Sequence, residues 1–340
     1  MNPSPSADHR TDVRATRGDA GLTLIELLVV VFLLGLLAQA AVLASAGALE
    51  EAQQQTTQQT LAQLEIALLG QPQRLDSLGR PNYGGFVADV GGLPVHRGAP
   101  ASATPADALA GALRELWMRP DATDPDGLRA LRGFSLQTSA LDPGVRLACG
   151  WRGPYVRLGV GKAALRDGWG NAYLPYSSAG QPTVPGGAIA AVVSFGADAT
   201  AAGTGYAADL FLVLEAEVSA VSPVVVPARH NGRVDVDVNM TGASGGTLVV
   251  RLFGPVAGEL VVLDQFPAAG ASEPFTAGSS VAVQFDGVSI GPRVLRAYRT
   301  TGNAPATTEP VVGPTNVSPV LPITVEPFAI QPLQLTLQGT

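Results

Sequence analysis

The chain has 340 residues, which is enough for about two domains of ordinary size. Only 14% of the residues are charged, and the formal net charge is −7. Because proteins that bind nucleic acid usually carry a basic patch, this acidic balance argues against nucleic acid as a partner. Cys149 is the single cysteine, which excludes an intramolecular disulfide and a cysteine-based metal site.

The most apolar part of the chain covers residues 22–47, and Glu26 is its only charged residue. A helix over this segment would be about 39 Å long, whereas the hydrocarbon core of a bilayer is about 30 Å thick. Arg10, Arg14 and Arg17 precede the segment, and such residues usually stay on the cytoplasmic side. The sequence therefore predicts one membrane span, with the remainder of the chain across the membrane.

Gly21 precedes this apolar segment, whereas an ordinary secretory signal has its small-residue cleavage site after the apolar core. Cleavage after Gly21 would leave the apolar helix on the mature protein. The stretch GLTLIELLVV, residues 21–30, resembles the class III signal of type IV pilins and type II secretion pseudopilins. The resemblance implies cleavage after Gly21 by a prepilin peptidase and N-methylation of Leu22, which stands where the family usually has Phe.

Glu26 lies in an apolar segment. Placing a carboxylate in hydrocarbon costs free energy, and such groups are rarely found there without a partner. Cleavage would create a positive α-amine at Leu22, and we expect Glu26 of a neighbouring subunit to neutralise it. Such a pair forms only between subunits in register, so the charge would select for assembly. The alternative is a plain signal anchor with an incidental Glu26.

Beyond the apolar segment, Leu61, Leu64, Leu68 and Leu69 recur at helical spacing. The pattern predicts a transmembrane and assembly helix over residues 22–72, with Gly70 as its stop.

Residues 73–215 read as a mixed α/β head. The glycine-rich stretch 79–100 is predicted to be loop. A helix is expected to begin at Thr104, which caps it with a proline at the first helical position, and to end at Pro120.

Three stretches of the head, taken in order, resemble the head of the major pseudopilin of type II secretion: GWRGPYVRLG (150–159), RDGWGNAYLPYSSAG (166–180) and VVSFGADATAAGTGYAADL (192–210). The resemblance implies a small antiparallel sheet packed on the long helix. Turn residues surround Trp169, a large aromatic that we expect to anchor the core.

In that family the last of these stretches forms a calcium-binding loop, and Asp198 and Asp209 match its flanking aspartates. Residues 199–208 contain no acid, although calcium prefers six to eight oxygen ligands. Two interpretations stay open: a weak calcium site, or a loop rich in glycine and alanine that folds without metal.

Residues 216–340 carry alternating strand patterns separated by Gly/Pro turns, which indicate an antiparallel β-sandwich. The predicted strands contain residues 234–238, 247–253, 260–263, 281–285, 294–298 and 323–325. The stretch FDGVSIGPRVLRAY, residues 285–298, resembles a strand corner of immunoglobulin-like or fibronectin type III domains.

No catalytic constellation is found in the sequence, and we expect no enzyme activity. Residues 242–246 fit the G-x-S-x-G pattern of serine hydrolases, but predicted strands flank them on both sides, where the motif needs a strand-to-helix turn. We expect a hairpin turn there instead.

The sequence thus predicts an α+β protein with a cleaved cytoplasmic leader (1–21), the helix (22–72), a pseudopilin-like head (73–215) and an immunoglobulin-like sandwich (216–340). We expect a pseudopilin or minor pilin that waits in the inner membrane, with its C-terminal part in the periplasm, before joining a filament. The expected partners are a prepilin peptidase, other pilin or pseudopilin subunits and an assembly-platform membrane protein. The alternative is an adhesin-like or cargo-binding protein that is displayed through the pilin export route and whose sandwich binds an exoprotein or a surface ligand.

Overall fold

A computed structural model describes residues 23–75, 81–98, 111–123, 128–159, 162, 164–215, 229–311, 316–327 and 330–338. The leader and Leu22 lie outside the described residues, as do residues 104–110 of the helix predicted over 104–120. The prediction is wrong for the described remainder, 111–120, which contains a 3₁₀ turn at Arg114–Leu116 and no α-helix. The chain divides into two compact units, residues 1–50 and 51–340.

Helix α1 covers Leu24–Leu69. In its part within the first unit, every side chain whose exposure is described is exposed. The helix ends where the sequence predicts, because Gly70 adopts φ +85°, a left-handed conformation that favours glycine.

Up to residue 215 the second unit contains short elements. They are β1 (Gln71–Leu75), β2 (Pro81–Asn82), α2 (Phe86–Val90), a 3₁₀ turn (Arg114–Leu116), β3 (Ser135–Thr138), β4 (Arg146–Cys149), β5 (Leu174–Tyr176), β6 (Ala191–Ser194), two more 3₁₀ turns (Gly196–Asp198 and Gly205–Ala207) and β7 (Leu210–Val213).

Strands β5, β6 and β7 form an antiparallel sheet in that order. Leu64 and Leu68 of α1 are fully buried in one core with Val192 of β6 and Leu212 of β7. The predicted small antiparallel sheet packed on the helix is thereby confirmed.

The prediction of loop over residues 79–100 is wrong in its middle, where α2 buries all five of its side chains. Helix α2 is too short to show helical periodicity in the sequence. It ends at Gly91, whose φ of +90° closes the last turn.

The rest of the second unit is built from strands. They are β8 (Asn231–Thr241), β9 (Thr247–Val256), β10 (Glu259–Phe266), β11 (Glu273–Pro274), β12 (Ser280–Ser289), β13 (Gly291–Thr300), β14 (Asn316–Val317), β15 (Leu321–Val325) and β16 (Ile330–Gln338). All six strands predicted for this region are confirmed.

These strands form two sheets, β12–β8–β16 and a six-stranded sheet around β9 and β13. One core contains side chains from both sheets, among them Val236 and Leu337 from the first and Leu252 and Leu295 from the second. The α+β organisation, with a long helix followed by a β-rich C-terminal region, is confirmed.

The prediction of a wholly antiparallel sandwich is wrong for β16, which the sequence analysis missed and which pairs with β8 in parallel. The preceding strand, β15, pairs with β13 in the other sheet. The chain therefore crosses from one sheet to the other between β15 and β16. Because β16 does not follow its partner β8 through a hairpin, the two strands need not be antiparallel.

Residues from the predicted head and the predicted sandwich share a core. Val145 and Cys149 are buried in one cluster with Val249, Phe253 and Val294. The contact is close, since a Cβ on Gly91 would lie 1.6 Å from the carbonyl oxygen of Pro255. The domain boundary at 215/216 stays a prediction, because residues 216–228 lie outside the described residues.

Candidate functional site

The N-terminal part of α1 is apolar on all sides. Its large side chains from Leu24 to Leu37 are 47–83% exposed, a surface that a globular protein would bury. A helix that is hydrophobic all round belongs in a membrane or in the core of a larger assembly. Its mean hydropathy reaches 2.8, and by length and composition the helix is apolar enough to span a membrane.

Thr23 caps the start of this helix. The amide of Glu26 donates to Oγ1 of Thr23 at 3.3 Å, and the amide of Leu27 donates to the Thr23 carbonyl at 3.1 Å. Thr-x-x-Glu at a helix start is the pattern of a capping box, and an acidic residue in the first turn also interacts favourably with the helix dipole.

Thr23 therefore caps its own helix, a role that our sequence analysis missed, although the Thr-x-x-Glu spacing was readable. Gly21 and Leu22 lie outside the described residues. Their processing, and the pair between the Leu22 amine and Glu26 of a neighbour, stay predictions.

A turn centred on Asp167 holds the second half of α1 against the small sheet. Oδ1 of Asp167 accepts from the amides of Trp169 and Asn171 at 3.0 and 2.7 Å, and Oδ2 accepts from the Ser194 hydroxyl at 2.7 Å. The amide of Gly168 donates to Oγ1 of Thr57 on the helix at 2.9 Å. A buried carboxylate thus joins the turn to β6 while the turn's backbone contacts the helix.

The expectation that Trp169 anchors the core is wrong. Trp169 is half-buried and lies outside the core clusters of the described residues, whereas Asp167 is 6% exposed. The physical reason is that the carboxylate satisfies the turn's amides and is buried with them. The nearby Tyr173, 2% exposed, is one of the aromatic side chains in the core.

The loop of the predicted calcium site folds on itself. Oδ1 of Asp198 accepts from the amide of Thr200 at 3.1 Å, and Oδ2 of Asp209 accepts from the amide of Ala202 at 3.1 Å. Oδ1 of Asp209 is buried without a hydrogen-bond partner among the described residues. Within the same residues no group of three His, Cys, Asp or Glu side chains could hold a metal. Calcium at Asp198 and Asp209 stays a prediction.

Ser244 of the G-x-S-x-G pattern lies between two strands, as expected, but the hairpin prediction is wrong. Strands β8 and β9 belong to different sheets, so the turn connects the two layers of the sandwich. The Oγ of Ser244 accepts from the amide of Ala277 at 3.0 Å, which is a contact to the segment between β11 and β12.

A cleft of about 280 Å³ lies between α2, the β3–β4 ribbon and β13. Asp89 lines it, and its Oδ2 accepts from the Tyr155 hydroxyl and from Arg152, each at 3.0 Å. Burial nevertheless raises the pKa of Asp89 to about 6, because desolvation outweighs these two partners. Behind the cleft the guanidinium of Arg293 is fully buried, and burial lowers its pKa to about 9.

No family model matches the chain, and no curated protein matches it. The solved structures to which it is similar include that of a streptococcal ancillary pilin, with 12% sequence identity and a TM-score of 0.17. The similarity covers 46% of this chain and 46% of that pilin, so the chain spans less than half the pilin's length. A likeness at this level supports no conclusion about function.

Proposed function

We propose that the chain is a pilin-like structural subunit, a pseudopilin or minor pilin of a type II secretion pseudopilus or a type IV pilus-like filament. A prepilin peptidase cleaves after Gly21 and methylates Leu22. The subunit waits in the inner membrane, with its C-terminal part in the periplasm. An assembly-platform membrane protein then transfers it to a filament, where other pilin or pseudopilin subunits pack against its apolar helix.

The observation that carries this proposal is the surface of α1. The first part of the helix exposes apolar side chains on every side, while Leu64 and Leu68 near its end are fully buried. Both a membrane and a filament core would cover the exposed part. Lipid tails are as apolar as the side chains, so packing and polar pairs would decide the transfer from one to the other. The signal-like order Gly21–Leu22–Glu26 favours the filament.

The first experiment is quantitative mass spectrometry of filaments sheared from native cells. We expect a mature N-terminal peptide that begins at methylated Leu22. A few copies per filament would assign the chain to a minor or tip position, and near-equal abundance with the major subunit would assign it to the shaft. Protein that stays in the membrane with residues 1–21 attached would overturn the proposal.

Two matched substitutions separate assembly from helix capping. Glu26→Gln removes the charge but keeps a residue that can complete a capping box, whereas Thr23→Val removes the capping hydroxyl and keeps Glu26. Losing the cap costs about 0.5–2 kcal/mol of helix stability. We expect Glu26→Gln to lower incorporation into filaments at least tenfold, about 1.4 kcal/mol, while Thr23→Val assembles nearly as well as the wild type.

The opposite order of effects would show that the helix cap, rather than the charge of Glu26, controls assembly. Normal assembly of both variants would remove the role of the charge altogether.

The alternative function, a displayed binding protein, is tested by deleting the gene. A structural subunit changes the number or length of filaments. A displayed adhesin or cargo binder leaves both unchanged, and only the binding of exoprotein or surface ligand is lost.

A further inference from the structure

A cavity of about 460 Å³ lies on the face of the small sheet that does not contact α1. Val192 and Leu212 pack into the helix-facing core, so the neighbouring residue Phe211 points to the other face of β7. Tyr176 of β5 and Phe195, which directly follows β6, also line the cavity. We call this space the aromatic cavity, defined by Tyr176, Phe195, Asp209 and Phe211.

The carboxylate of Asp209 is the only charged group among the residues that line the aromatic cavity. It forms no ion pair with a described residue, and its Oδ1 is buried without a hydrogen-bond partner in that part of the chain. Burial raises the pKa of Tyr176, which lines the cavity, and the negative charge of Asp209 raises it further. The other oxygen of Asp209, Oδ2, accepts from the amide of Ala202 at 3.1 Å, and the residue as a whole is only partly buried. A carboxylate that lacks a positive partner would favour a positive ligand here.

The side chains that line the cavity determine which kind of cation would bind there. The faces of aromatic rings attract cations, and Phe211 is 36% exposed. A calcium ion needs six to eight oxygen ligands, whereas three of the defining side chains are aromatic. A guanidinium is planar and weakly hydrated, stacks on aromatic rings and pairs with carboxylates.

We propose that the aromatic cavity binds an arginine side chain of a partner protein, with the guanidinium on Asp209 and against the rings. The proposal does not depend on the filament function. It competes with the calcium prediction, because both use Asp209.

The test is saturation-transfer NMR on the full chain in detergent micelles, with N-acetyl-arginine methylamide as the probe. The matching citrulline derivative has nearly the same shape but no charge. We expect millimolar binding of the arginine probe and about tenfold weaker binding of the citrulline probe. Asp209→Asn should abolish this difference. Phe211→Leu should weaken arginine binding about fivefold, while Phe134→Leu, which removes a similarly exposed ring elsewhere, should have no effect.

Equal binding of the two probes, or unchanged binding to Asp209→Asn, would overturn the proposal. So would displacement of the arginine probe by excess calcium chloride, which would assign the site to the metal. Choline binding as tight as that of arginine would show a general site for small organic cations and would also overturn it. If Asp209→Asn fails to unfold cooperatively, the comparison of Phe211→Leu with Phe134→Leu decides.

Discussion

Asp89 should make the stability of the second unit depend on pH in an unusual direction. Its side chain is almost completely buried beside Arg152 and Tyr155, and burial raises its pKa from 3.8 to about 6. Between these two pH values the folded state binds more protons than the unfolded state. The free energy of unfolding therefore falls as pH rises through this window, and the loss is complete above about pH 6. A shift of about two units corresponds to about 3 kcal/mol.

The assay is urea unfolding of the full chain in non-denaturing micelles at pH values from 4 to 7, followed by tryptophan fluorescence. Asp89→Asn keeps the shape of the side chain and removes its titration. We expect the wild type to lose about 2–3 kcal/mol relative to Asp89→Asn between pH 4 and 7. Asp89→Ala, which also loses the contacts to Arg152 and Tyr155, should be less stable overall but should show the same missing pH dependence. Parallel pH curves for the wild type and Asp89→Asn would refute the argument.

Two further predictions use the same unfolding assay at a single pH. Gly91→Ala should lower the free energy of unfolding by at least about 3 kcal/mol, because its Cβ would lie 1.6 Å from the Pro255 carbonyl oxygen at a φ of +90°. Gly92→Ala, which meets nothing within 4 Å, should change it by less than about 0.5 kcal/mol, and similar losses for both would contradict the close approach of Gly91 to Pro255. Asp167→Ala should cost about 2–4 kcal/mol, since three hydrogen bonds to a buried carboxylate are lost. Asp198→Ala, at an exposed carboxylate, is the control and should cost less than about 1 kcal/mol, so equal losses would show that the Asp167 turn is not a structural anchor.

Local sequence patterns predicted the elements whose stability depends on near neighbours in the chain. The leucines from Leu61 to Leu69 repeat at helical spacing, and Gly70 ends the helix because it can adopt a left-handed conformation. The alternation of Val234, Val236 and Val238 with polar residues gave β8 with its buried face correctly assigned. The Thr-x-x-Glu spacing at Thr23 was equally local and could have predicted the helix cap.

Contacts between distant segments account for what the sequence analysis missed. The turn at Ser244 and the parallel pairing of β16 depend on which of two sheets each strand joins, and the alternation of side chains is the same in either sheet. Asp167 rather than Trp169 is buried because its turn meets Ser194 of β6 and Thr57 of α1, which lie far from it along the chain.

The sequence by itself determined the apolar helix, its end and most of the strands, since these follow from periodicity and from the conformational limits of single residues. Only the tertiary structure decided the sheet pairings, the desolvation of Asp89 and the grouping of three aromatic side chains around Asp209. The physical reason is that burial and pairing free energies depend on residues tens to hundreds of positions apart, and no local pattern records which of them meet.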